Sequence, residues 1–277
     1  MKIEFKKLGT LVLTSLVVAT SIFISCNKEN DNIECVMKNN LSSDIVLNPK
    51  NPYDEIGVKH NSFLLKTKYF ITDDVKDAIT VTNHVLSSYD YDTTFSREIA
   101  LAVIADSNNN YTEVVNKFPI SDELKDVFVS IIDDVYSLGA ENEVDYIKYK
   151  DIIVDYEDKI LSMGLSEENK LILLSATSVL RHSLYYWNNE YSEFEDDENT
   201  KAKEKSVWKW IFVGVVDAAG AFGGAVSGVA VGGSIGMPIT GGITGGIVGA
   251  VGASNGAAAL YDKIDEAIGD DENDSIQ

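Results

Sequence analysis

The sequence predicts an all-α protein, a helical bundle followed by a helical hairpin built on a glycine zipper. Apolar residues recur at helical spacing from Ile56 to about Tyr191. Four prolines, at 49, 52, 119 and 238, fall at breaks in that pattern. Near the C-terminal end, glycine returns at every fourth position of a segment without charge. Residues four apart share one face of a helix, so this repeat also indicates helix.

The first 26 residues have the order of a secretory signal. Lysines at 2, 6 and 7 precede a charge-free stretch, 8–25, that ends in a serine before Cys26. The tetrapeptide Phe23-Ile24-Ser25-Cys26 resembles a lipobox. We therefore expect residues 1–25 to be a signal peptide, cleaved before Cys26, and Cys26 to be the site of lipid attachment.

The residues after Cys26 are polar and rich in asparagine. Asn27–Asp31 resembles the acidic tether of surface lipoproteins in the Bacteroidota. We predict a lipid-anchored linker over 26–51. The resemblance implies the cell envelope, at the outer membrane and on its exposed face. Cys35 would then have no intramolecular partner, and we interpret it as a linker thiol.

Composition narrows the classes of partner. The 277 residues carry a net charge of −21, which disfavours nucleic acid and anionic lipid surfaces. The expected partners are the membrane, through the lipid, and a protein partner or further copies of the chain. A hydrophobic content of 45% is enough for a core.

The bundle is predicted over residues 52–191. One helix should begin at Ser121-Asp122-Glu123, another should end with Gly164 as its C-cap, and a third should begin at Ser166. Residues 192–206 and 269–277 are interpreted as a charged linker and an acidic tail. The acidic run 193–198 lacks the alternating ligands and the glycine of a calcium-binding loop.

The glycine zipper occupies a predicted hairpin over 207–268. No charge occurs in the 44 residues between Asp217 and Asp262. Two helices meeting through glycine can bring their backbones unusually close. The predicted helix-packing residues are Gly220, Gly224, Gly228, Gly232, Gly236, Gly241, Gly245 and Gly249.

The surroundings of the hairpin leave two alternatives open. Both predicted helices are long enough to cross a bilayer, and Trp208, Trp210 and nearby lysines resemble an interfacial anchor. However, the segment is poor in leucine, and Asp217 lies near one end. A hairpin buried inside the helical domain, or in an oligomer, therefore competes with membrane insertion.

A second motif lies at the start of the bundle. Asn51-Pro52-Tyr53-Asp54, followed by Gly57 and His60-Asn61, resembles the opening of uncharacterised Bacteroidota lipoproteins. That resemblance carries no activity. We predict that Asp54 caps a short helix bearing His60 and Asn61. The alternative makes His60 a general base or metal ligand, but His84 and His182 show no ligand spacing.

The sequence favours a non-enzymatic function without cofactor or metal. It has no G-x-S-x-G, no H-E-x-x-H and no phosphate-binding Gly-Lys-Ser/Thr motif. We expect a cell-envelope lipoprotein with an interaction or structural role through helical packing. The alternative is an effector that inserts its hairpin into a membrane, because the zipper resembles those of membrane-active bacteriocins as well as glycine-zipper envelope proteins.

Overall fold

The described part of the chain is built from helices. The computed structural model describes residues 44–67, 75–88, 111–141, 145–192 and 200–274. In these ranges 84% of residues are helical and none lies in a strand, which confirms the all-α prediction. The eight helices described are α1 (Glu55–Thr67), α2 (Val75–Ser87), α3 (Tyr111–Asn116), α4 (Asp122–Ala140), α5 (Tyr146–Ser162), α6 (Glu167–Ser192), α7 (Thr200–Ser234) and α8 (Pro238–Asp274).

Helix α6 lies at the centre of the fold. Every residue from Leu171 to Leu184 is buried, and α1, α5, α7 and α8 all pack against this helix. A helix covered on all sides normally presents apolar residues around its whole circumference. Arg181, His182 and Ser183 depart from that rule, so each needs a polar partner inside the protein.

The ends of α4, α5 and α6 lie close to their predicted positions. Ser121 precedes α4 in an extended conformation, and Ser166 precedes α6, where its hydroxyl accepts from the Asn169 amide at 3.2 Å. Helix α5 ends with Met163 as its C-cap residue. Gly164 does not have a positive φ. The C-cap predicted at Gly164 is therefore displaced by one residue and uses no left-handed glycine.

Aromatic rings join α7 to the helices that cover it. Phe128 of α4 stacks on Phe222 of α7 with ring centroids 4.5 Å apart, and Tyr149 of α5 meets Trp210 edge-on at 4.8 Å. Trp210 is only 2% exposed, whereas Trp208 is 36% exposed. Trp210, which resembles part of an interfacial anchor in the sequence, therefore lies in the protein core.

Helices α7 and α8 form the predicted hairpin. Their connection is a helix C-cap in which Gly236 has a φ of +78°. The Met237 amide donates to the Gly232 carbonyl at 2.7 Å, and the Gly236 amide donates to the Gly233 carbonyl at 3.2 Å. This is the Schellman arrangement, which favours glycine at the left-handed position. Pro238 then begins α8, a position at which the backbone nitrogen donates no hydrogen bond within the helix, so proline is tolerated there.

The predicted glycines lie where the two backbones meet. A methyl group at Gly220, Gly224 or Gly228 would overlap the backbone of Gly249, Gly245 or Gly241, respectively. A methyl group at Gly232 would overlap Met237, which leaves Gly236 to form the turn. The pairing is antiparallel and advances by one helical turn at each step.

The other glycine row of α8 faces α6. A Cβ atom at Gly242 would overlap the Leu171 side chain, and one at Gly246 would lie 3.7 Å from the Ser175 Cβ atom. The described residues, all of which lie between 44 and 274, belong to one compact unit. Within it, the bundle and the hairpin share a continuous hydrophobic core that runs from Val46 to Ala258.

Three segment boundaries differ from the predicted ones. Val46, Asn48 and Asn51 are buried against the bundle, so the packed structure reaches into the predicted linker 26–51. Helix α7 already begins at Thr200, inside the predicted linker 192–206, and α8 continues to Asp274, inside the predicted tail. Lysine, alanine and glutamate at 201–205 have good helix propensity and extend α7, whereas the residues at 269–274 are mostly poor helix formers and do not explain the length of α8.

We predict that Gly228→Ala and Gly233→Ala will change stability in opposite directions. The methyl group at Gly228 must push the Gly241 backbone away, which should cost about 1–3 kcal/mol. Gly233 lies in the same helix with open space around its Cβ position, so alanine there should stabilise by up to about 1 kcal/mol. Urea unfolding of both variants measures the difference. Stabilisation by both substitutions would contradict a close approach of α7 and α8.

Candidate functional site

The motif residues lie in a turn followed by α1, and they contact α6 along its length. We call residues 48–61 the motif segment. The Asn51 side-chain amide donates to the Leu174 carbonyl at 3.0 Å and to Glu157 Oε1 at 2.8 Å. Asn48 donates to the other oxygen of Glu157 at 2.6 Å. Two asparagines thus satisfy a glutamate that is fully buried on α5.

Asp54 belongs to a buried ionic cluster. Its carboxylate accepts hydrogen bonds from Arg181, from His182 Nε2 at 3.1 Å and from the backbone amide of Asn48 at 3.2 Å. Arg181 also lies 3.2 Å from Glu157, so one guanidinium joins two carboxylates. Burial alone would raise the pKa of Asp54, but the His182 hydrogen bond and the Arg181 charge outweigh it and lower that pKa to about 2.

The cap of α1 differs from the predicted one. Asp54 occupies the residue before the helix, but its carboxylate turns toward Arg181 and His182. The Gly57 amide instead donates to the Ser178 hydroxyl at 3.1 Å, and that hydroxyl donates to the Asp54 carbonyl at 2.9 Å. Gly57 permits this contact, because a Cβ atom there would lie 2.6 Å from the Ser178 carbonyl oxygen. The cap is therefore supplied by α6.

His60 and Asn61 continue the contact into the protein interior. Asn61 donates to the His182 carbonyl at 2.8 Å, and its own oxygen lies 3.0 Å from His60 Nδ1. The other ring nitrogen of His60 lies 3.6 Å from Asp217 Oδ2 on α7. Asp217 accepts hydrogen bonds from the Ser183 hydroxyl and from the Trp187 indole. His60 thus connects the motif segment to the hairpin.

A second polar contact fastens the other helix of the hairpin. The Asn255 amide on α8 donates to Thr82 of α2 at 2.6 Å and to Thr67 of α1 at 3.0 Å. All three side chains are buried. Both helices of the hairpin therefore carry polar residues whose partners lie on the bundle.

The hydrogen bonds of these clusters join helices to one another. Ser183 bonds to a carboxylate and not to an imidazole, so it forms no activated nucleophile. His60 is 0% exposed, and burial lowers its pKa to about 3. His84 is exposed on α2, away from these contacts. No group of three metal-ligating side chains occurs among the described residues.

The remaining predicted site residues lie elsewhere. Cys26 falls outside the described residues. Seven of the eight zipper glycines form the internal contact between α7 and α8, whereas Gly236, predicted as a packing residue, lies in the turn with open space around its Cβ position. A surface depression of about 190 Å³ lies near the end of the hairpin, beside Val231, Ile235 and Met237.

Sequence reasoning missed most partners of the motif. Arg181 and His182 stand out as polar residues in an otherwise apolar helix, and that contrast was a usable signal. Glu157 lies in a strongly charged helix and gave none. No family model, no curated protein and no solved structure matches this chain.

We predict that Arg181→Met will strongly destabilise the protein. The substitution keeps much of the side-chain volume but leaves two carboxylates without their shared cation, at a cost of about 3–5 kcal/mol. Lys50→Met is the matched control, because Lys50 pairs with Asp158 at 2.7 Å on the surface. That pair should contribute no more than about 1 kcal/mol. Equal effects of the two variants in urea unfolding would contradict a structural role for the Arg181 cluster.

Proposed function

We propose that this protein is a non-enzymatic lipoprotein of the cell envelope with a structural or interaction role. The lipid on Cys26 would tether a rigid helical unit to the outer membrane. The internal bonding of the hairpin carries the structural part of this proposal. Asp217 and Asn255, a carboxyl and an amide in the apolar parts of α7 and α8, both have partners in the bundle. A bilayer core would supply none of these partners.

The motif segment supports the same proposal. Its polar side chains are used to hold the chain that leads toward the tether against α5 and α6. If the protein is tethered through this chain, these contacts hold the point at which the chain leaves the bundle in one position. The resemblance to Bacteroidota lipoproteins rests on these same residues, and on the stretch around Cys26.

The chemistry of the surface limits the kind of partner. The net charge of −21 disfavours nucleic acid and anionic lipids. The exposed apolar side chains at the hairpin end, Val231, Ile235 and Met237, are 45%, 71% and 51% exposed. Such residues favour contact with a protein partner or with another copy of the chain.

A membrane-active effector is the second candidate, because the hairpin has some properties of an inserting segment. The helix from Val207 to Ser234 is apolar and long enough to cross a membrane, although 89% of its most apolar window is buried. A core helix of a soluble protein meets the same criterion. Insertion would require the hairpin to leave α6.

We expect acylation to depend on Cys26. Growth with a labelled fatty acid, followed by mass spectrometry of the N-terminus, should show lipid on Cys26 in the wild type. Cys26→Ala should abolish labelling, while Cys35→Ser should leave it unchanged. Retention of the lipid by Cys26→Ala would contradict the anchor.

Two engineered disulfides distinguish the two candidate functions. In a Cys35→Ser background, Ser175→Cys with Gly246→Cys joins α6 to the hairpin, and Ala225→Cys with Gly246→Cys joins only α7 to α8. The Cβ positions are 3.7 Å apart in both pairs, which suits a disulfide. For a structural protein we expect no leakage of dye-loaded phosphatidylcholine vesicles with the wild type or with either oxidised variant.

One pattern would overturn the structural role. In this pattern the wild type releases the dye, the disulfide between α6 and α8 blocks release until it is reduced, and the disulfide within the hairpin does not block it. The hairpin would then leave the bundle as one piece and enter the bilayer.

A further inference from the structure

Asp217 is a buried acid without a buried cation beside it. It is 0% exposed, and its polar neighbours are His60 of α1, Ser183 and Trp187 of α6, and Ser254 of α8. The Trp187 indole donates to Oδ2 at 3.1 Å, and the Ser183 hydroxyl donates to the same oxygen. Oδ1 has no hydrogen-bond partner within the described residues. These neutral neighbours stabilise an ionised carboxylate far less than water does.

The hydrogen bonds of Asn61 assign the tautomer of His60. The Asn61 amide nitrogen donates to the His182 carbonyl, so its oxygen faces His60 Nδ1. That oxygen can only accept, and Nδ1 must therefore carry a hydrogen. In the neutral ring, Nε2 is then an acceptor. Among the described residues it has no hydrogen-bond partner, and it lies 3.6 Å from the carboxyl oxygen Oδ2 of Asp217. Two acceptors facing each other need one proton between them.

Burial decides which partner holds that proton. An imidazolium at His60 would be fully buried, with His182 close by and Arg181 and Asp54 beyond it. Burial raises the pKa of Asp217 to about 7, although hydrogen bonds from its neighbours oppose the rise. A neutral carboxyl beside a neutral imidazole avoids two buried charges.

We propose that Asp217 keeps its carboxyl proton in mild acid and directs it toward His60 Nε2, which has no other partner in the described part of the chain, so that one proton links the hairpin to the motif segment. The link joins α7 to α1 at a point where neither helix offers a backbone donor. Loss of the proton leaves an acceptor facing a carboxylate, and the link becomes repulsive. The link between α7 and α1 is therefore strongest in mild acid and weakens in mild alkali.

The dependence on pH has a definite sign. A group whose pKa is raised on folding contributes stability that is complete below its unfolded value, about pH 4, and that is lost as the pH rises through about 7. His60 and His182, whose pKa values are lowered by burial, act in the opposite direction as the pH falls below about 6.5. Comparison with Asp217→Asn isolates the carboxyl contribution, because both histidines remain.

The indole of Trp187 reports the proton directly. In an NMR titration from about pH 5.5 to about pH 8.5, its N–H resonance should shift with a midpoint near 7, because its acceptor becomes a stronger base. Trp208 and Trp210, the other two tryptophans, serve as internal controls and should stay in place. Trp187→Phe assigns the resonance. A Trp187 resonance that does not move in the folded wild-type protein would overturn the proposal, and this measurement requires no variant at Asp217.

Stability measurements test the link itself. Urea unfolding of the wild type, Asp217→Asn and Asp151→Asn is compared at about pH 5.5 and about pH 8.5. Asp151 is exposed on α5, so its variant removes the same charge without the buried contact. The unfolding equilibrium constant of Asp217→Asn, relative to wild type, should fall more than tenfold between these values. The Asp151→Asn ratio should stay constant. A constant ratio for Asp217→Asn as well would show that its carboxyl group does not hold the proton.

Discussion

Arg181 is a charged side chain in a helix that is buried on every side, and the arrangement around it follows from the need to match that charge. Asp54 and Glu157 contact Nη2 of the guanidinium from two different parts of the chain, and the Val46 carbonyl accepts a hydrogen bond from Nη1. A buried ion pair contributes little net stability over an apolar substitute, but a missing partner is costly. The cluster therefore contributes mainly to the specificity of the fold. It selects one position of the residues before α1 among the many that apolar contacts alone would permit.

The hairpin is held together by close backbone packing and not by buried charges. Its glycines forfeit roughly 1 kcal/mol each in helix propensity relative to alanine. Close contact of the α7 and α8 backbones brings many atoms into dispersion range and offsets that loss. Larger side chains on the outer faces, such as Phe222 and Trp210, then reach the aromatic rings of α4 and α5. A thin, tightly packed pair of helices can thus fit beside α6 in a single core.

The helices and the hairpin could be predicted from the sequence because their signals are local. A glycine every fourth residue defines a face regardless of what surrounds it. The partners of the motif could not be predicted, because Arg181 lies 127 positions from Asp54 and Glu157 lies 109 positions from Asn48. Spacing along the chain carries no information about such contacts. The sequence also could not decide between lipid and protein as the surroundings of Trp210, since an aromatic ring suits either.

The interface with α6, and not the glycine strip, separates the two candidate functions. The contact between α7 and α8 would be kept if the hairpin entered a bilayer, so this close contact is compatible with both candidate functions. Transfer would instead break the contacts of Asp217 with Ser183 and Trp187 and those of Asn255 with Thr67 and Thr82. It would also uncover the apolar face of α6 and leave its polar residues half-satisfied. These losses fall on the bundle as well as on the hairpin, and the polar residues in the hairpin therefore favour a structure that stays closed.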